Sequence, residues 1–155
     1  MKLMNFVSLP NVAPSLEVKN KEELLVQLVD MLRCSGKIND PAPLLKSLLE
    51  REKIMTTGIG RGIAVPHAVN PAVKEQTIAL ARIPEGADFD SLDRAPVYFV
   101  FLLVGPPEAA SSHLKTLARI SRLIQHTNFV ESIKKAGTAE DILKILAEED
   151  GKHKG

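Results

Sequence analysis

Eight consecutive apolar residues, Val97–Val104 (VYFVFLLV), constrain this chain more than any other segment. The run is rich in β-branched and aromatic side chains and is closed by Gly105-Pro106-Pro107, the composition of a strand with both faces buried. A helix that crosses a bilayer needs about 20 apolar residues, so the run is too short for a membrane span. A strand buried on both faces needs helices above and below its sheet. The expected fold is therefore a single three-layer α/β domain.

The rest of the chain supplies those layers. Leu3–Leu9 reads as an edge or first strand ending at Pro10, and the following stretch to Asn20, with its two prolines, reads as connection. From Asn20 the pattern turns helical. Asn20 is an N-cap, Glu23 completes a capping box, Leu24, Leu25, Leu28, Val29 and Leu32 share one face, and Gly36 is the stop. A second helix opens on Asp40 and Pro41 and repeats the spacing at Leu44, Leu45, Leu48 and Leu49. It runs into Thr56–Gly62, a loop by its three glycines, followed by a short extended run, Ile63–Val65, stopped by Pro66. Thr77–Ile83 reads as a strand closed by Pro84-Glu85-Gly86. The C-terminal third is helical. Ser111 or Ser112 caps one helix carrying Leu114, Leu117, Ala118, Ile120, Leu123 and Ile124, a short helix runs from Asn128 to Gly137, and Thr138 starts the last, with Ile142, Ile145 and Leu146 inward. The domain is expected over 1–150, with 151–155 (GKHKG) as a disordered tail.

Composition narrows the function. Twenty Lys and Arg against 19 Asp and Glu give a net charge of +1 with histidine neutral. No basic face for nucleic acid or for a membrane surface is expected from such a balance. The N-terminus, MKLMNFVSLP, lacks the apolar core of a signal peptide. One cysteine cannot form an internal disulfide, and a reducing, cytoplasmic setting is expected. Cys34 closes a helix whose dipole disfavours a thiolate and reads as a part-buried structural thiol. The Cys and His residues show no metal-ligand spacing, so neither a metal nor a cofactor is expected.

The unusual segment is Gly58–Ala68, GIGRGIAVPHA. It is not a P-loop, because Ile63-Ala64 stands where Lys-Ser/Thr is required. Nor is it a dinucleotide fingerprint, because it follows a helix and leads into an extended run. His67 follows Pro66 and is presented from a stiff backbone, which favours a functional role over a plain turn histidine. His113 follows the buried strand, near the first turn of the next helix, where an anion is favoured. If the two strands end on one sheet edge, His67 and His113 are neighbours. Arg51 reads either as a solvated helix-end arginine or as a guanidinium aimed at phosphate; spacing does not choose. His126, near a helix C-terminus, and His153, in the tail, look ordinary.

Residues 52–68, EKIMTTGIGRGIAVPHA, resemble the active-site signature of the enzyme IIA component of the bacterial phosphoenolpyruvate-dependent sugar phosphotransferase system, fructose/mannitol type, and most closely its nitrogen-regulatory branch. The likeness extends from about Leu3 to Glu148 in the order of elements. It implies a mixed sheet flanked by helices on both faces. It further implies that His67 accepts a phosphoryl group from a histidine-containing phosphocarrier protein and passes it to a IIB partner in sugar uptake. His113 matches the second active-site histidine, Arg51 the arginine near the site, and Thr57 a polar position of the loop. Some sugar-specific members are acidic where Arg61 stands, so this cation would attract phosphate or select another partner surface. No IIB, permease or phosphocarrier segment is recognised in the sequence, which favours the alternative of a regulatory protein whose partner binding is switched by phosphorylation of His67.

Overall fold

The computed structural model describes residues 2–153, and its backbone is organised around the long apolar run. Strands β1 (Val12–Ala13), β2 (Gly58–Gly60), β3 (Ile63–Ala64), β4 (His67–Val69), β5 (Thr77–Ala87) and β6 (Val97–Gly105) form one mixed sheet. Its order is β1-β5-β6-β3-β2, with β4 also paired to β6. β5 is antiparallel to β6, whereas β3 and β4 are parallel to it and meet it in succession along its other edge.

Alternation along β6 sorts its side chains between two cores. Val100, Leu102 and Val104 pack with Leu24, Leu25, Leu28 and Leu32 of α1 (Lys21–Cys34) and with Leu44 and Leu48 of α2 (Pro41–Ile54). Phe99, Phe101 and Leu103 face Ile120 and Leu123 of α3 (Ala110–Leu123), Phe129, Val130 and Ile133 of α4 (Thr127–Lys135), and Ile142 and Leu146 of α5 (Ala139–Lys152). This is the expected three-layer α/β arrangement. Asn20 caps α1 by accepting from the Glu23 N–H at 3.0 Å, and the Glu23 carboxylate accepts in return from the Lys19 N–H at 2.9 Å. Asp40 caps α2 through the Ala42 N–H, and Thr138 caps α5 through the Asp141 N–H.

Several local expectations are corrected. Leu3–Leu9 is not a strand: two 3-10 turns, Leu3–Phe6 and Leu9–Asn11, bury Leu3, and the Met4 N–H is held by Asp150 Oδ2 at 3.2 Å. The first strand lies instead at Val12–Ala13, inside the presumed connection, paired with Leu80 and Ala81. The glycine loop is largely a β-hairpin. Arg61 (φ 57°) and Gly62 (φ 78°) are the two left-handed residues that a tight primed turn requires. A Cβ on Gly58 would stand 2.4 Å from Ser91 Oγ, so this glycine serves a close approach of chains. β5 does not stop at Ile83 but continues to Ala87, with its register shifting between Arg82 and Ala87, where Pro84 has no N–H to donate.

The helical third also differs in detail. Neither Ser111 nor Ser112 caps α3, because a 3-10 turn, Pro107–Ala109, runs directly into it. The buried stripe of α3 is His113, Thr116, Arg119, Ile120 and Leu123, leaving Leu114 exposed. The short helix starts at Thr127 and ends at Lys135, inside the bounds expected at its far end. Cys34 is exposed, about half a helical turn away from the buried Leu32 face. Gly151 and Lys152 complete α5, so part of the expected tail is helical; Lys154 and Gly155 lie outside the described residues.

Because β6 feeds both cores, truncating it on either side is expected to be costly. Leu102→Ala and Phe101→Ala should each lower the unfolding free energy by about 2–5 kcal/mol, read by urea denaturation. A loss under about 1 kcal/mol for either would contradict its place in a close-packed core.

Candidate functional site

The site forms where the parallel strands on one edge of β6 reach their C-terminal ends. His67 opens β4 opposite Leu103, and the Leu103 N–H holds the Pro66 carbonyl at 3.0 Å. One residue earlier the Val65 N–H donates to the Thr57 carbonyl at 3.0 Å. Pro66 fixes the backbone between these two anchors. The half-buried His67 ring then turns back on its own chain, with Nδ1 2.9 Å from the Val65 carbonyl oxygen. A carbonyl only accepts, so Nδ1 carries the proton and the lone pair of the neutral ring lies on Nε2. Burial is the main cause that lowers the His67 pKa below its ordinary 6.5, and the Arg51 charge lowers it further, against opposing effects of the Val65 hydrogen bond and Glu52.

His113 enters from the chain that follows β6. Its ring centroid is 5.8 Å from that of His67, with the planes tilted by 48°. The residue is 4% exposed, and its Nδ1 has no hydrogen-bond partner among the described residues. Burial, and secondarily the neighbouring His67, lower its pKa to about 4. Both imidazoles are therefore neutral at pH 7. The Ala110 N–H is taken by the Pro107 carbonyl of the preceding 3-10 turn, so His113 lies one turn inside helical backbone rather than among free helix-start donors. Gln76 Nε2 donates to Ser112 Oγ at 3.2 Å and Thr116 Oγ1 at 2.9 Å, which ties that turn of α3 to the start of β5.

Arg51 and Thr57 differ from each other in kind. Arg51, in the last turn of α2, donates from Nη1 to the Met55 carbonyl at 3.0 Å and acts on His67 through its charge. Thr57 is buried and bound to Glu52: its N–H donates to Oε1 at 3.0 Å and its hydroxyl to Oε2 at 2.6 Å. Glu52 is buried too and is paired with Lys21 Nζ at 3.5 Å. The Thr57 hydroxyl proton is thus engaged by Glu52, and Thr57 holds Val65 through its carbonyl. Sequence reasoning missed Lys21 and Gln76, and it met Glu52 only as the acidic position that opens the signature, without a role. Its place at the head of the 52–68 signature, five residues before the polar Thr57, was the signal that could have paired them.

Arg61 is placed elsewhere. Its guanidinium donates to the Ile124 carbonyl, and its own carbonyl accepts from Lys134 Nζ at 2.9 Å. Ile124 lies at the far end of α3 from His113, 11 residues or roughly 16 Å along the axis. Of the two expectations for this cation, a pull on phosphate at His67 does not fit a guanidinium seated against the C-terminus of α3, whereas selection of a partner surface fits its exposed position.

Residues 5–149 match the family described as "Phosphoenolpyruvate-dependent sugar phosphotransferase system, EIIA 2". A fructose-specific EIIA component of Haloferax volcanii is 37% identical over 128 residues, covering 83% of either chain. A nitrogen regulatory protein of Bradyrhizobium diazoefficiens is 34% identical over 147 residues, 95% of either chain. The chain spans only 24% of the length of a fructose-specific EIIABC component of Bacillus subtilis, to which it is 32% identical. Among solved structures, the nitrogen regulatory protein IIA-Ntr of Neisseria meningitidis superposes with a TM-score of 0.84 at 30% identity, covering 92% of this chain and 97% of that one. A glycine hairpin leading to a proline-locked histidine, faced by a second histidine across the edge of a mixed sheet, accompanies a family match over nearly the whole chain, and the chain belongs to the EIIA type 2 family of the phosphotransferase system.

Proposed function

We propose that the chain is a cytoplasmic histidine phosphoryl carrier, in which Nε2 of His67 accepts the phosphoryl group of a histidine phosphocarrier protein and passes it to a IIB partner. One observation carries this reading: the Val65 carbonyl occupies Nδ1 of His67 and leaves Nε2 without a hydrogen bond among the described residues, beside His113. The Nε2 lone pair attacks phosphorus, the P–N bond to the donor ring breaks, and its electron pair stays with the donor nitrogen. Phosphoryl transfer passes through a loose transition state, so the protein mainly positions groups and stabilises charge on the phosphoryl oxygens. His113, with Nδ1 buried, carries its proton on Nε2 and donates it as a hydrogen bond to those oxygens. Arg51 supplies positive charge, and the Glu52–Thr57 pair holds the Val65 carbonyl in place. No described helix is long and apolar enough to cross a membrane.

A second reading, a regulator whose partner binding is switched by phospho-His67, is favoured by the end-to-end likeness to a nitrogen regulatory protein. Both readings share the same first step. A phosphoryl group adds roughly −2 at neutral pH, enough to reverse the net charge of +1.

With phosphoenolpyruvate, enzyme I and the phosphocarrier, the purified chain should gain one acid-labile phosphoryl group by mass spectrometry. His67→Ala should abolish the gain, and phosphate on that variant would sink the assignment. His113→Ala should slow acceptance by about 10²–10³-fold, the loss typical of one transition-state donor. Onward transfer to a candidate IIB separates relay from switch.

A pH effect follows from His113. Its folded pKa of about 4 lies below the ordinary 6.5, so the unfolded chain binds the extra proton between those values. Stability should therefore fall as pH drops from 6.5 to 4, by on the order of 2–3 kcal/mol from this group. Measured by urea denaturation across that range, His113→Gln should flatten the slope. An unchanged slope would show that His113 is not held neutral by burial.

A further inference from the structure

A second cluster of histidines lies away from His67, at the open end of the α4–α5 hairpin. α4 and α5 are joined by a short turn at 136–138 and run antiparallel, which brings the N-cap of α4 against the C-terminus of α5. There His126, Glu149 and His153 each offer one ligand atom, and the three atoms lie within 4.8 Å of one another. Glu149, in the last turn of α5, and His153, at its C-cap, are four residues apart, with Nε2 2.8 Å from Oε2. The two imidazole rings meet edge to face with centroids 4.9 Å apart. We infer that His126, Glu149 and His153 form a binding site for a divalent transition-metal ion of the zinc class.

Three features support a site. Two imidazoles and one carboxylate suit zinc, and three protein ligands leave a fourth position for water or an outside ligand. That position opens into a cavity of about 340 Å³ lined also by Thr127, Asn128 and Phe129. The third ligand is held although it lies near the chain end. The His153 carbonyl accepts from Lys2 Nζ at 2.7 Å and from Arg119 Nη2 at 2.9 Å. Arg119 is itself buried and paired with Asp150 at 2.7 Å, which anchors the last turn of α5.

Binding requires small, local changes. Tetrahedral coordination at about 2.0–2.2 Å per ligand places ligand atoms roughly 3.3 Å apart. His153 Nε2 and Glu149 Oε2 open slightly to admit the ion, and the exposed His126 swings inward. The ion takes the place of the proton that His153 Nε2 holds toward Glu149, and the neutral His153 ring carries its proton on Nδ1 instead. Lys152 Nζ, 3.7 Å from Glu149 Oε1 and largely exposed, withdraws into water.

The test is calorimetric titration of the full chain with zinc chloride in a Cys34→Ser/His67→Gln background, which removes the exposed thiol and the other histidine pair as competing ligands. One equivalent should bind with micromolar affinity or better, and His126→Gln and His153→Gln should each weaken it by more than the ~10–100-fold that loss of an outer partner costs. His126 is exposed and its side chain makes no cap bond, so that variant retains the fold, checked by its circular dichroism. Cobalt in place of zinc should give the visible absorption of a four-coordinate site in the background protein and lose it in both variants. The absence of micromolar binding, or binding unchanged by both substitutions, would overturn the site.

Discussion

β6 is the element on which everything else hangs. It pairs with β5 along one edge and with β3 and then β4 along the other, and it supplies side chains to both cores. A strand in that position has no freedom of register, because a slip of one residue would exchange its two faces. The site inherits this fixity twice. His67 is held laterally, by pairing with Leu103, and His113 is held in sequence, on the helix that leaves β6 through Gly105 and Pro106. Two histidines 46 positions apart in the chain thereby come within 5.8 Å.

Around that pair the polar network runs inward from the surface to the ring of His67. Lys21 pairs with Glu52, Glu52 grips Thr57, the Thr57 carbonyl takes the Val65 N–H, and the Val65 carbonyl takes the His67 Nδ1 proton. Each step uses a group that would be costly to bury unpaired. Local dielectric then does the rest: burial favours the neutral form of both rings, so under the proposed reading His67 would attack without needing a base at pH 7. The Arg51 guanidinium is bonded to the Met55 carbonyl and acts on His67 through its charge, and Arg61 sits at the far end of α3.

The layers, the caps of α1, α2 and α5 and both core stripes of the first two helices were legible because they rest on period and local chemistry. The juxtaposition of His67 and His113 was legible as a conditional, since both follow strands that could share an edge. Other features depend on contacts distant in sequence. Leu3 folds into a 3-10 turn because Asp150 waits for the Met4 N–H, and Val12 pairs because Leu80 is exposed to it. Pro84 and Gly86 look like a strand end, yet β5 survives past them by a bulge. The Glu52–Thr57 grip spans only five residues but crosses a helix end, where side-chain direction is not set by spacing. His126 and His153 are 27 apart, and only the length of the α4–α5 hairpin aligns them.

The central claim is that the Val65 carbonyl fixes the proton of His67 on Nδ1 and leaves Nε2 to take phosphate. The most direct measurement is NMR of the ¹⁵N-labelled imidazoles at neutral pH, before and after phosphorylation. The account predicts a neutral His67 ring with a protonated Nδ1, and a phosphorus coupling to Nε2 once the phosphoryl group is in place. A proton on Nε2 in the resting protein, or phosphate on Nδ1, would contradict it.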